Sequence, residues 1–171
     1  MKSLILLSSL IGGLFFTPIE NYSVKVSRLD LSCENTPELN KKVIEFVDSK
    51  MKKRVGRGEC WDLAAEALQL INAKWNGKYK YGKEVFYQSE CIFPGDIIQF
   101  EGVTVKYMKD GFFYKEKMAH HTAIIHEVKD KGHFNLAHQN TRFSGRKVGL
   151  STLELKNITK GKFKIYRPIK K

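Results

Sequence analysis

Proline is scarce, four in 171 residues, and the 13 glycines form no repeat. Collagen-like, mucin-like and low-complexity architectures are excluded on that ground. Cysteine is equally sparse. Cys33, Cys60 and Cys91 are too few for a disulfide scaffold and lack the paired spacing of a zinc finger. Acidic side chains number 18 against 30 lysines and arginines, which leaves a net charge of +12. No apolar run beyond Phe16 is long enough to cross a bilayer. There is no internal repeat, no heptad pattern and no composition shift marking a linker. What is present is 42% hydrophobic residues, enough in one chain of this length to bury a sizeable core.

The one long apolar run is N-terminal. Lys2 precedes Leu4 to Phe16, interrupted only by Ser8, Ser9, Gly12 and Gly13. As a helix this run measures about 20 Å, short of a hydrocarbon core of about 30 Å. A positive charge, a short apolar stretch and then Thr17-Pro18 read as a secretory signal peptide over residues 1–21. Residues 22–35 form an N-terminal extension and residues 36–171 the folded domain. Export predicts an oxidising compartment, in which Cys33 pairs with Cys91 and Cys60 stays free. Loss of Lys2 with Glu20 leaves the charge at +12. Such a charge favours an anionic polymer as partner. No helix-turn-helix, RNA-binding signature or metal finger accompanies the basic residues, so no specific nucleic acid is expected.

Helices come first. Thr36-Pro37-Glu38 reads as a helix start, with Thr36 as cap and Pro37 at the first helical position. Leu39, Val43, Phe46 and Val47 follow at helical spacing. A second helix is predicted from Cys60 to Ala73, with a wide apolar face that includes Ala64, Leu68, Ile71 and Leu70. Trp75 to Tyr87 reads as loop. Strands are predicted over Asp96–Phe100, His121–Val128, His133–Asn140 and Lys162–Arg167, the last ended by Pro168. The order defines an α+β protein with N-terminal helices on a mostly antiparallel sheet.

Chemistry concentrates on three of these elements. Cys60 follows Gly56-Arg57-Gly58-Glu59 at the start of the second helix, where the dipole and free backbone N–H groups favour a thiolate. His121 opens a strand continued by Thr122-Ala123-Ile124-Ile125, so its imidazole projects at the end of the core. A base beside a thiol is the arrangement of acyl transfer. His120 alternates to the other side. On the next strand Phe134, Leu136, His138 and Asn140 share a face, and either His138 or Asn140 can orient the imidazole. A zinc site on Cys60, His121 and His138 lacks any short-range ligand pair, and no phosphate loop or facing carboxylate pair is present. Neither a metal nor a cofactor is expected.

Together these motifs resemble the papain-like superfamily, in particular its compact CHAP and NlpC/P60 branch. The matching stretches are Gly56-Arg57-Gly58-Glu59-Cys60-Trp61-Asp62-Leu63-Ala64, Pro94-Gly95-Asp96-Ile97, His121-Thr122-Ala123-Ile124-Ile125 and His138-Gln139-Asn140. CHAP domains tend to carry Glu-Gln-Asn at the last of these, and His138 replaces that Glu. The NlpC/P60 branch also uses His there. The sequence from Glu59 to Leu68 is similar, too, to the papain-fold domain of a fungal actin-patch, myosin-tail-interacting protein.

The resemblance covers roughly residues 38–168. It implies a papain-like fold and a secreted thiol hydrolase acting on an amide or peptide bond, with peptidoglycan one substrate. Cys60 would be the nucleophile, His121 the base, and His138 or Asn140 the third residue. Two other readings stand beside it. One is an inactive papain-fold module that binds a protein or an anionic polymer. The other is a basic structural or nucleic-acid-interacting protein.

Overall fold

The computed structural model describes residues 33–171. The signal peptide and most of the N-terminal extension expected from the sequence lie outside the described residues. Two helices come first, α1 (Glu38–Ser49) and α2 (Asp62–Leu70). The strands are β1 (Ala73–Lys74), β2 (Lys83–Val85), β3 (Ile97–Lys109), β4 (Phe112–Asp130), β5 (His133–His138), β6 (Gly149–Glu154), β7 (Ile158–Arg167) and β8 (Ile169–Lys170). A 3-10 turn, Leu155–Asn157, precedes β7. Six strands form one sheet in the order β2-β7-β3-β4-β5-β6, and β1 pairs with β8. Every strand pair is antiparallel. The α+β fold class read from the sequence is the observed one.

Alternation along the strands divides the core in two. Ile97, Ile124, Ala137 and Tyr166 face the helices and pack with Val43, Phe46 and Val47 of α1 and Leu63, Ala67 and Leu68 of α2. Ile98, Ile125, Leu136 and Ile165, each one residue away, face the other side and pack with Phe100, Ala123, Phe134 and Leu153. Each fully buried aliphatic side chain contributes roughly 1.5–3 kcal/mol. The adjacent apolar pairs in the central strands thus serve two cores at once. Among the described residues no helix is long and apolar enough to cross a membrane.

A polar cluster fastens α1 to β3. Asp96 is fully buried and accepts from Asn40 at 2.8 Å, the Phe93 N–H at 3.0 Å and Arg167 at 2.8 Å. Gly95 has φ +86, and a Cβ there would sit 2.4 Å from the Asn40 carbonyl oxygen. The Pro94-Gly95-Asp96 turn therefore needs glycine for close approach as well as for conformation. The disulfide Cys33–Cys91 is formed and leaves Cys60 as the free cysteine.

Several boundaries differ from expectation. Pro37 is the N-cap of α1, and no side chain caps the helix, so Thr36 does not fill that role. The helix starts one residue later than the proline pattern implies. α2 begins at Asp62 rather than Cys60, because the Asp62 carboxylate folds back onto the loop before it. It stops before Ala73 because Asn72 takes φ +50, a left-handed conformation that ends helices. Leu70, expected on the apolar face, is 68% exposed. β3 and β4 run far past Phe100 and start well before His121, joined by a tight turn at Asp110-Gly111. β6 was not read in the sequence, nor were β2 and β8.

Candidate active site

The site lies where β5 ends beside β4. In β4 the Ile125 backbone bonds toward β3, exchanging hydrogen bonds with Gly95 and Asp96. By alternation the His120 carbonyl and the Thr122 N–H point the other way, toward β5. β5 stops at His138, so among the described residues no strand meets them. Cys60 fills that position instead. Its sulfur lies 3.9 Å from the His120 carbonyl oxygen and also receives the Thr122 N–H. The thiol thus touches the backbone on both sides of His121.

A loop held by buried polar groups carries Cys60 there. Gln139 is fully buried and works as a clamp. Its amide nitrogen donates to the carbonyls of Val55 at 2.9 Å and Glu59 at 2.8 Å, and its oxygen accepts from the Val55 N–H at 3.2 Å. Asp62 accepts from the Arg57 N–H at 2.8 Å and the Glu59 N–H at 3.1 Å. Gly58 has φ +86, and a Cβ there would meet the Arg146 side chain at 2.7 Å. Cys60 therefore sits two residues ahead of α2, in a turn, and not on its first turn as the sequence implied.

His121 and His138 meet on the sheet face away from the helices. One step past the observed Ile124–Ala137 pair, the register sets Ala123 opposite His138. That makes His121 and His138 diagonal neighbours on one face. His121 Nε2 lies 2.9 Å from His138 Nδ1, and His138 Nε2 lies 2.8 Å from Ser151 Oγ. Phe100, the cross-strand partner of His121, stacks on its ring, and Phe143 tilts against His138. Asn140 is not brought to the imidazole. It follows the end of β5 with φ +60, and its Nδ2 donates to Glu59 at 2.9 Å. The face expected to run from Phe134 to Asn140 thus ends at His138. His120 points away, as alternation predicts, and bonds Glu101 at 2.6 Å.

Burial governs the titration of this cluster. It pushes the Cys60 thiol up, against the N–H groups of Thr122, Trp61 and Cys60, which favour the thiolate. It pushes His121 down to about 4, and it pushes His138 down to about 3 with help from the His121 charge. At neutral pH both rings are therefore uncharged and the thiol is protonated. A thiol lowered by the helix dipole, expected from the sequence, is not what this site has.

Behind the cysteine, Tyr81 is fully buried and its hydroxyl bonds Thr122 Oγ1 at 2.9 Å, which donates to Gln99 at 2.6 Å. Trp75 stacks on Tyr81 and packs against Trp61. Two surface recesses of about 520 Å³ lie elsewhere, one beside Phe46 and Leu70, the other beside His133 and Glu154. Among the described residues no cluster of three or more His, Cys, Asp or Glu side chains is arranged to hold a metal. Sequence reasoning gave no role to Gln139 or Ser151. Gln139 stood inside a motif, whereas Ser151 has no local signal and meets His138 only through the β5–β6 pairing.

A helix-led antiparallel sheet with cysteine before the helix and histidine on the facing strand defines a papain-like fold. Residues 34–171 match the AIM3/BBC1 cysteine proteinase-fold domain, and the chain belongs to that family. No curated protein sequence matches it. The crystal structure of Ly7917 is similar, with TM-score 0.48 and 16% identity over 75% of this chain and 62% of that one. The crystal structure of Ly7917 with the hydrolyzing product of MDP has TM-score 0.50 and 15% identity over the same shares. The chain thus spans less than two thirds of the length of these neighbours. At such identity the likeness concerns the fold alone.

Proposed function

We propose that this domain is a cysteine hydrolase that cleaves an amide or peptide bond, with Cys60 as nucleophile, His121 as base and His138 as the residue that orients it. The observation that carries this reading is the hydrogen-bonded chain from His121 Nε2 through His138 to Ser151, which leaves His121 Nδ1 without a hydrogen bond among the described residues. With His121 protonated on Nε2, that proton is donated to His138 Nδ1, and His138 donates from Nε2 to Ser151. Nδ1 then holds a lone pair that takes the Cys60 proton once the thiol, which here bonds the backbone on both sides of His121 and not its ring, turns toward the imidazole. Because thiol and imidazole both start neutral, the proton moves to Nδ1 as sulfur attacks the carbonyl carbon. A tetrahedral oxyanion forms, and its collapse breaks the C–N bond as Nδ1 returns the proton to the leaving amine. Water then attacks the thioester by the same path, which releases the acid and restores the thiol.

Peptidoglycan is one substrate class for this reading, in keeping with the resemblance of the motifs to the CHAP and NlpC/P60 branch and with the hydrolyzing product of MDP found with Ly7917. Export by the N-terminal segment is part of the proposal, and the Cys33–Cys91 disulfide supports it. A second reading has its own support. A raised thiol beside imidazoles held neutral also suits a catalytically silent module that binds a protein or an anionic polymer.

The test joins two measurements. Peptide and wall-fragment hydrolysis is followed for the wild type, Cys60→Ser and His121→Ala, and Cys60 alkylation is followed against pH. The hydrolase reading expects turnover that each substitution lowers by about a thousandfold or more. It also expects an alkylation profile that changes in His121→Ala. No turnover, with an alkylation profile indifferent to His121→Ala, overturns it in favour of the binding module.

A further inference from the structure

β3 and β4 extend beyond the rest of the sheet. β7 accompanies β3 only as far as Val105, and β5 joins β4 only from Ile124 onward. The segment from Lys106 to Lys117 is therefore a two-stranded ribbon closed by Asp110-Gly111. Its tip is apolar and uncovered. Met108 is 65% exposed, Phe112 68% and Phe113 64%. Tyr114 stacks on Tyr107 and is also exposed.

The register sorts these side chains. Tyr107 pairs with Tyr114 and Lys109 with Phe112 on one face, while Met108 pairs with Phe113 on the other. Both faces of the tip therefore carry apolar side chains, with Lys109 beside Phe112 on one of them. A protein surface or a second copy of the chain would cover one face and leave the other in water. A medium that surrounds the tip covers both.

Charge says which medium. Lys106 and Lys115 pair with each other two residues behind Met108 and Phe113, about 7 Å along the strand. That offset matches the depth, about 5–10 Å, at which interfacial elements seat apolar groups below lipid headgroups. Lys109 and Lys117 add to them. Of the two acidic groups in the ribbon, Glu116 is occupied by the Tyr107 hydroxyl at 2.7 Å, and Asp110 sits in the turn. The polar Asp110 side chain at the tip limits the ribbon to the headgroup boundary rather than the hydrocarbon interior.

We propose that the β3–β4 ribbon inserts its aromatic tip into the headgroup region of an anionic phospholipid bilayer, with Lys106 and Lys115 on the lipid phosphates and carboxylates.

The test uses the full chain and vesicles of phosphatidylcholine, with and without phosphatidylserine. Every variant retains the apolar run from Leu4 to Phe16, so its contribution to sedimentation is common to all. Phosphatidylserine should strengthen binding of the wild type, and Phe112→Ser/Phe113→Ser should weaken it by about tenfold. Lys106→Glu/Lys115→Glu should remove the preference for phosphatidylserine. A local readout separates the tip from the N-terminus. In Phe113→Trp, brominated lipid should quench the added emission above the background of Trp61 and Trp75. The exposed tip lets these variants keep the wild-type melting temperature. Absence of that quenching, or equal vesicle binding by Phe112→Ser/Phe113→Ser, overturns the proposal. So does a wild-type dimer that this double variant dissociates, which would assign the tip to a second copy.

Discussion

The loop from Val55 to Cys60 and the ribbon from Lys106 to Lys117 are held by opposite means. The loop has little apolar surface to bury, and buried hydrogen bonds from Gln139 and Asp62 fix it. The ribbon is rich in aromatic side chains, yet cross-strand pairing, the stacked Tyr107–Tyr114 rings and the Tyr107–Glu116 hydrogen bond hold it. One region has spent its polar groups on a single position for a sulfur atom. The other leaves Met108, Phe112 and Phe113 at its tip exposed. Precision is thus placed at the middle of β4 and availability for contact at its start.

Acidification should separate the two most strongly. His121 and His138 bind protons less readily in the fold than an ordinary histidine does, since burial lowers them to about 4 and about 3. Between pH 6.5 and those values the unfolded chain carries more protons than the native one. The stability of the site is complete above about pH 6.5 and falls as pH drops. From pH 7 to pH 5 the loss is roughly 2 kcal/mol for each histidine. Denaturant midpoints of the wild type should fall accordingly, while those of His121→Gln/His138→Gln should stay nearly level over the same range. A wild-type midpoint that rises on acidification would contradict the burial of this pair. The ribbon from Lys106 to Lys117 contains no histidine.

Next in size is the clamp. Gln139→Leu keeps the volume and removes the partners of the Val55 N–H and of the Val55 and Glu59 carbonyls. Stranding buried backbone groups costs about 1–3 kcal/mol for each, so a loss of about 3 kcal/mol is expected. Melting should fall by roughly 6–12 °C at this chain length. The alkylation rate of Cys60 should change as well, since the loop that aims it is released. An unchanged alkylation rate would mean that Asp62 alone fixes the loop. Ser151→Ala is a smaller test of the same site. It leaves His138 Nε2 without its partner and should cost about 1 kcal/mol. If His138 orients His121, the turnover number should fall several-fold while KM holds, because ring orientation matters only as the proton moves.

The sequence carried the site further than it carried the sheet. Cys60 and His138 were singled out because each stands beside an element end, and His121 because it precedes an apolar run, although that run lies in the middle of β4. Asn140 had the same apparent claim through alternation. Its left-handed backbone, invisible in a period-two pattern, takes it to Glu59 instead. The extent of β3 and β4 was missed because the ribbon buries neither face near its tip, which leaves no hydrophobic alternation to read. The Asp110-Gly111 pair, a strong hairpin turn signal, was the available clue. β6 has weak patterning of its own and is placed by its pairing with β5, from Phe134–Leu153 to His138–Gly149. The state of the thiol was not legible at all. It depends on how β4 and the loop enclose Cys60, and no local motif encodes that burial.

The smallest expected effect is the sharpest check on the contrast between loop and ribbon. Met108→Ala removes most of a large apolar side chain, a change that costs about 2–5 kcal/mol in a packed core. Met108 is 65% exposed, and its neighbour across the ribbon, Phe113, is 64% exposed. Little area returns to water on unfolding, so the cost should stay within about 0.5 kcal/mol. Melting should move by no more than about 2 °C. A core-sized loss would show that the ribbon folds against a surface of its own chain, and its apolar tip would then be part of the fold rather than a surface open to contact.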